Sequence, residues 1–401
     1  MHSPPPKMPL AHPWIINTIL LLISIVFGAS AFVAFDYFRT AALNRRRINT
    51  VKSSQCRLPD PVRHHAFQPN CTGLTTWGSG VYEISTNSLG FRDERVRQVP
   101  RRDPRPRILM LGDSFTEGLC PWRDSYVGKI AASLPQYEFL NGAMASYSPS
   151  NYLNVARAVL AAGVEIDEVL VFIDISDTQD EAAYYTDIDA SGAVGGPGPA
   201  TASIPPPPKW LLRIKNHLLL TNYLVDFAER HLIEHGYYHY YTWGGDIFDS
   251  DRSAWTYRSV PENRPYPYGY APLGVEGGIA KSKAKMTLLW QELTKRHIPL
   301  GVVVYPWPSQ VAHDTADSWQ ARIYREWCEG KCKRFISLFP AFQAAKNECP
   351  RTAPGCWYMT DFIFGDNHYS PAGNAIVAGA LIRSLEAEPP RKALTASKSE
   401  Q

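Results

Sequence analysis

The sequence predicts an α/β protein: a three-layer α/β/α sandwich around a central parallel sheet of about five strands, with one N-terminal transmembrane helix ahead of it. Three features lead there: short unbroken apolar runs, helical patterns lying between them, and an uncharged amino-terminal stretch. Strands that read as continuous apolar runs are covered on both faces, and strands alternating with helices pair in parallel.

Residues 1–13 form a short tail. From Trp14 to Phe35 no side chain is charged, and the run has about the ~20 residues that a bilayer span requires. Residues 14–38 therefore read as a membrane anchor. The competing reading is a secretory signal cut near Ala29-Ser30-Ala31, but the apolar run continues past that site through Phe32, Val33 and Phe35. Residues 39–105, ending in "RRDPRPR", are expected to be a stalk with an extended lead-in, "VYEISTNSLGFRDE".

The main domain is expected over 106–388, with a tail over 389–401. Its strands are "RILMLG", "EFLNGAM", "EVLVFIDI", "PLGVVVYP" and, more weakly, "KRFISLF". "SPSNYLNVARAVLAAG" and "GGIAKSKAKMTLLWQELTKRH" carry helical spacing of apolar residues. The alternation breaks at about 178–277. There a proline-rich connection, "GAVGGPGPATASIPPPP", leads into an aromatic insert from "HGYYHYYTWGGDIF" to "YPYGYAP". Two readings of that insert stand level: a groove for sugar rings, or a cap packed onto the sheet.

Forty-one basic against 38 acidic residues give a net charge of +3, which gives no ground for a nucleic-acid partner. Seven cysteines include the near neighbours Cys328/Cys332 and Cys349/Cys356, a third potential pair in Cys56/Cys71, and Cys120 left over. That tally fits an oxidising compartment. Basic residues after the span (Arg39, Arg45, Arg46, Arg47, Lys52) point the other way, towards a cytoplasmic domain. Histidines and cysteines do not fall at metal-ligand spacings.

In open parallel sheets ligands bind at the carboxyl ends of strands. Ser114, in "RILMLGDSFTEG", sits at such an end where a helix begins, beside orphan amides and the positive end of a helix dipole. Those features suit a nucleophile whose attack creates an oxyanion. In "GDNHYSPAGN", Asp366 precedes His368 by two residues and Ser370-Pro371 opens the last helix. His368 is then a general base and Asp366 the acid that orients it. Asp361 is the alternative acid, needing a longer loop. Cys120, six residues after Ser114, reads as a small buried residue.

These blocks resemble the SGNH/GDSL hydrolase superfamily over about residues 84–385. "LGDSFTEG" matches the first block, which makes Ser114 the nucleophile and includes Asp113. The second block, in "NGAMASYSPSNYL", puts Asn141, Gly142 and Ala143 at the oxyanion position, with Ala143 where the family has glycine. The third, in "VFIDISD", aligns Asp174, Ser176 and Asp177, with Ser176 replacing the oxyanion asparagine. Asp-x-His in place of Asp-x-x-His, "TNSLGFRD" and "VVVYPWPSQ" are similar to the membrane-associated and periplasmic proteins of polysaccharide O-acetylation, including the alginate type. Tyr305 and Trp307 lie at a strand end where they would shape the site or form a turn.

The resemblance implies a cofactor-free, metal-free serine esterase or O-acetyltransferase. It would be a single-pass protein of the inner membrane, its domain periplasmic, acting on an acylated carbohydrate or envelope ester beside a membrane acyl donor. Ser114, Ala143 and Ser176 would hold the oxyanion; Asp113, Asn141, Gly142, Asp174, Asp177, Tyr305 and Trp307 are candidate substrate contacts. The rivals are a non-catalytic carbohydrate-binding protein and a cytoplasmic acyl-thioesterase.

Overall fold

The computed structural model describes residues 13–52, 56–77, 80–189, 192–196, 218–242, 245–249, 252–258, 269–390 and 392. The chain divides into two compact units: Met1–Asn49 with Pro207–Glu229, and Thr50–Pro206 with Arg230–Gln401.

The first unit contains helix α1 (Pro13–Lys52) except its last three residues, and the start of α6 (Leu219–Glu234). Within α1, Trp14–Ala42 is long and apolar enough to cross a membrane. The proline-rich stretch at 205–208 lies outside the described residues.

The second unit is built on the five expected strands: β6 (Arg107–Leu111), β7 (Glu138–Asn141), β8 (Glu168–Ile173), β9 (Leu300–Val304) and β10 (Arg334–Ser337). They pair in parallel, in the order β10-β9-β8-β6-β7. The three central strands are buried along their whole length, which is why they read as unbroken apolar runs. Each fully buried Val, Ile, Leu or Phe there stabilises the fold by roughly 1.5–3 kcal/mol.

The chain runs from β6 to β7 through α3 (Tyr126–Ser133), then back past β6 to β8 through α4 (Pro149–Ala161). Reversing direction with right-handed crossovers puts successive helices on opposite faces. Accordingly α3 packs with α12 (Pro371–Ala387), while α4 and α5 (Ile175–Ala183) pack with α7 (Gly274–Thr294). The reversal also opens a crevice between the ends of β6 and β8, the place where such sheets bind ligands.

The segment expected to be a stalk carries more structure than that. Residues 57–93 supply five strands: β1 (Arg57–Asp60) and β2 (His64–Phe67) form a hairpin, and β3 (Thr72–Trp77), β4 (Gly80–Thr86) and β5 (Arg92–Asp93) extend the main sheet antiparallel beyond β7. The sheet is therefore eight-stranded and mixed. The Cys56–Cys71 disulfide ties this segment together; Cys328–Cys332 and Cys349–Cys356 are also bridged, and Cys120 is free.

At the opposite edge, the buried Glu168 carboxylate at the start of β8 accepts from Arg334 Nε at 2.6 Å and Nη2 at 3.1 Å on β10, and from Lys333 Nζ at 3.0 Å. Removing one partner of a buried ion pair leaves the others uncompensated. Glu168→Ala is expected to lower the unfolding free energy by about 3–5 kcal/mol in urea titration, with Glu168→Gln costing less.

Candidate active site

The strand β6 ends at Leu111, and the chain turns at once over helix α2 (Ser114–Glu117). Gly112 permits this: a Cβ there would come within 2.1 Å of Thr116 Oγ1. Asp113 caps α2 by accepting the Phe115 amide at 2.9 Å. Ser114 thereby stands in the first helical turn, where backbone amides have no intrahelical acceptor.

The last loop meets it there. Ser114 Oγ lies 2.7 Å from His368 Nε2, and His368 Nδ1 lies 2.5 Å from Asp366 Oδ1. With the imidazole proton on Nδ1 and donated to Asp366, Nε2 is left to accept the Ser114 hydroxyl. The loop is fixed on both sides. Tyr358 Oη accepts the Gly365 and Asp366 amides at 3.0 and 3.2 Å, from helix α11 (Cys356–Asp361). Ser370 caps α12 by accepting the Ala372 and Gly373 amides at 3.1 and 3.2 Å.

Electrostatics favour a charged relay. Burial pushes the His368 imidazolium down, but the Asp366 charge and hydrogen bond outweigh it and hold the ring above its ordinary value. Burial would raise Asp366, yet the His368 charge and hydrogen bonds, together with the Trp77 indole, hold it below the usual carboxylate range.

Trp77 is the residue that sequence reasoning missed. It sits at the tip of the β3–β4 hairpin, donates from Nε1 to Asp366 Oδ2 at 2.7 Å, and meets the His368 ring edge-on at 4.9 Å. The same amino-terminal segment braces the other wall: Arg57 pairs with Glu117, whose Oε2 accepts the Ala145 amide at 2.7 Å, and His65 Nε2 meets the Ala145 carbonyl at 2.8 Å. Nothing local in a polar, alternating stretch pointed to these contacts.

Of the expected oxyanion donors, Ser114 N–H keeps its position. The other two have partners of their own: Ala143 N–H donates to Asn141 Oδ1 at 3.2 Å, and Ser176 Oγ donates to Asp174 Oδ1 at 2.6 Å. The expected substrate contacts Asp113, Asn141, Gly142, Asp174, Asp177, Tyr305 and Trp307 are all buried, and they support the site from beneath. Tyr305 Oη donates to Asp113 Oδ1 at 2.7 Å, Trp307 Nε1 to Asp174 Oδ2 at 2.6 Å, and Asn141 Nδ2 to the Thr116 carbonyl at 2.9 Å. Tyr152 Oη donates to Asp177 Oδ1 at 2.5 Å, and Gly142 packs against Val155, Leu109 and Phe91. Burial, then the Asp174 charge, pushes Asp113 up to about 7, and the same two causes raise Asp177.

Asp361 ends α11 with its carbonyl accepting the Ser370 amide at 3.0 Å, and it is Asp366 that reaches His368. Burial pushes the Cys120 thiol up to about 11, which keeps it protonated and unreactive. In the described part of the aromatic insert, Tyr238 stacks near Phe248 and Trp357, and Tyr240 near Phe364. That is a cap over the loop that carries the histidine; Trp243 lies outside the described residues. Separately, His231 and Glu234 on α6 and His235 just beyond its end bring three potential ligand atoms within 4.8 Å of one another, all exposed and none in the serine relay.

Trp77→Phe retains an aromatic ring and deletes the hydrogen bond to Asp366. Loss of a charge-assisted bond of about 1.5–3 kcal/mol is expected to slow serine acylation roughly ten- to hundredfold with KM little changed, read as the rate of labelling by a fluorophosphonate and as ester turnover.

No protein-family model matches this chain, and no curated protein matches it. Among solved structures, it is similar to an acetylxylan esterase from Geobacillus stearothermophilus (12% identity, TM-score 0.37, covering 71% of this chain and 96% of that one). It is also similar to a member of the lipolytic G-D-S-L family from Veillonella parvula (10%, TM-score 0.33, 70% and 98%) and to a GDSL-like lipase from Bacteroides thetaiotaomicron (9%, TM-score 0.34, 72% and 92%).

Proposed function

We propose that this chain is a membrane-anchored serine esterase or O-acyltransferase of the SGNH type, working on the extracytoplasmic side of the inner membrane on an acylated carbohydrate or envelope ester. The observation that carries the reading is the unbroken relay from Ser114 Oγ through His368 to Asp366 at 2.7 and 2.5 Å. Three disulfides support an oxidising compartment, against the basic residues that follow the span. The apolar helix α1 supports the anchor.

In this mechanism Ser114 Oγ attacks the ester carbonyl while its proton passes to His368 Nε2. Asp366 stabilises the resulting imidazolium, and the Ser114 amide donates to the oxyanion. Collapse expels the alcohol, which takes the proton from His368 and leaves Ser114 acylated. Water or a sugar hydroxyl then attacks the acyl group with His368 again as base. Ser114 and His368 line a recess with Phe115, Gly118, Leu119 and Ile363 whose volume is only about 10 Å³, room for about one water, which favours a short acyl group such as acetyl over a long chain. Hydrolysis and transfer use the same residues and differ in the acceptor; the anchor supports transfer from a donor held at the membrane.

One observation favours a non-catalytic, carbohydrate-binding reading: the Ala143 and Ser176 donors already have partners. Fluorophosphonate labelling and acetyl-ester turnover separate the two. Both are expected in the native chain and lost in Ser114→Ala and His368→Ala, with Asp366→Asn slower by about 10³–10⁴. A well-folded native chain that takes no label and turns over no ester sinks the enzyme reading. Acetyl transfer to an added oligosaccharide marks the transferase, and acetate alone with every acceptor tried marks the hydrolase.

The base must be neutral to accept the serine proton, so activity rises with pH as His368 deprotonates. Because the folded protein holds His368 above its ordinary value, the limb of kcat/KM is expected to have its midpoint above about 6.5. In Asp366→Asn, which removes the charge responsible, that midpoint moves down.

A further inference from the structure

The first unit holds an unusual junction. Asp36 follows directly on the uncharged run Trp14–Phe35. At about 1.5 Å per residue that run is roughly 33 Å long, close to the ~30 Å hydrocarbon thickness, so Asp36 stands at the hydrocarbon edge. Its side chain is fully buried, with no ion pair among the described residues. Asp36 Oδ1 accepts the Leu220 amide at 2.9 Å, and Oδ2 accepts the Thr221 amide at 2.7 Å. Thr40 Oγ1 accepts the Leu219 amide at 2.9 Å and donates to Asp36 Oδ1 at 3.2 Å. Two side chains of the membrane helix thus satisfy three of the orphan amides of α6, with a carboxylate at the positive end of its dipole. Leu218, itself buried, lines a hollow together with Ala29, Ser30, Val33, Ala34, Tyr37 and Phe38 of α1. The start of α6 is fixed at the depth of Asp36.

From that point α6 is inside out for a water-soluble surface. Leu219, Tyr223 and Phe227 recur every four residues on one face with Leu224 beside them, and Tyr223, Phe227 and Leu224 are 70%, 67% and 59% exposed. Asp226 and Glu229, the acidic residues of the same turns, are half-buried. An apolar face turned outward while the acids turn inward suits hydrocarbon and is costly in water. The sequence just ahead, "KWLLRIKNH", adds Lys209, Arg213 and Lys215 with Trp210, residue types that gather at anionic headgroups.

We infer that Leu219–Glu229 is a second lipid-contacting element. It lies at the boundary of hydrocarbon and headgroups, hung from the transmembrane helix by the Asp36–Thr40 cap, with Tyr223, Leu224 and Phe227 among the acyl chains. The inference rests on α1 spanning the membrane, and the test reads that separately.

The full chain, in a Cys120→Ser background, is reconstituted into vesicles of phosphatidylcholine and phosphatidylglycerol with a nitrobenzoxadiazole label on Leu224→Cys, Phe227→Cys or, as the anchor control, Phe27→Cys. All three labels are expected to be quenched several-fold more by lipid-borne nitroxide than by aqueous iodide. Adding Asp36→Ala and Thr40→Ala is expected to turn the Phe227→Cys label iodide-sensitive while leaving the Phe27→Cys label unchanged. Iodide quenching at 224 and 227 with lipid quenching at 27 overturns the inference and leaves the anchor standing. Protection at 224 and 227 from both quenchers also overturns it, since a protein surface then covers the face. Iodide quenching at 27 removes the anchor and the inference with it.

Discussion

The hydrogen bond between Ser114 Oγ and His368 Nε2 joins residues 254 positions apart, and a contact of that span exists only because both ends are fixed before they meet. One end is fixed by the turn out of a fully buried strand, where Gly112 lets the backbone fold over Thr116 and Asp113 caps the helix. The other is fixed by a short loop whose amides are taken by Tyr358 and whose exit is capped by Ser370. A shift of an ångström at either end would open the relay, and misplacement of that size can cost about a hundredfold in rate. The scaffold is thus concentrated where the two ends approach.

Beneath the relay lies a layer of buried carboxylates, Asp113, Asp174 and Asp177, in which burial and the Asp174 charge raise the proton affinity of Asp113 and Asp177. Asp174 takes the hydrogen bonds of the Trp307 indole and of the Ser176 amide and hydroxyl. Asp113, pushed up to about 7 by burial and the Asp174 charge, has its Oδ2 3.3 Å from Ser114 Oγ. A fully ionised layer would favour the imidazolium on His368 and hold the base protonated. The upward shift of Asp113 works against that effect, because its neutral form adds no negative potential at the imidazole.

How much of this could be read from sequence follows the same physics. The five parallel strands are continuous apolar runs because both faces are covered, and all five were legible. Strands β3 and β4 have partly exposed, polar-rich sequences at a sheet edge, and such sequences look like a stalk. Ser114, Asp366 and His368 were legible because a strand end and a helix cap fix their places along the chain. The substrate-contact list was not, because motif spacing puts a residue near a site without saying which way its hydrogens point. Tyr305 and Trp307 lie at the expected strand end, yet their polar atoms face the buried acids. Trp77 carried no signal, since only the folded hairpin brings residue 77 to residue 366.

That hairpin changes what counts as the unit that holds the relay together. A boundary at residue 106, where the apolar alternation begins, would retain the serine, histidine and aspartate and discard the Trp77 indole on Asp366. It would also discard Arg57 beside Glu117 and His65 against the Ala145 carbonyl. Each of these acts on a wall of the site: one on the acid, two on the loop that carries the second block. The Cys56–Cys71 disulfide closes a 15-residue separation around Arg57 and His65 and reduces the freedom of this segment in the unfolded chain. A segment whose side chains brace both walls of the site is explained poorly as a spacer, so the domain begins near Cys56, shortly after α1 ends.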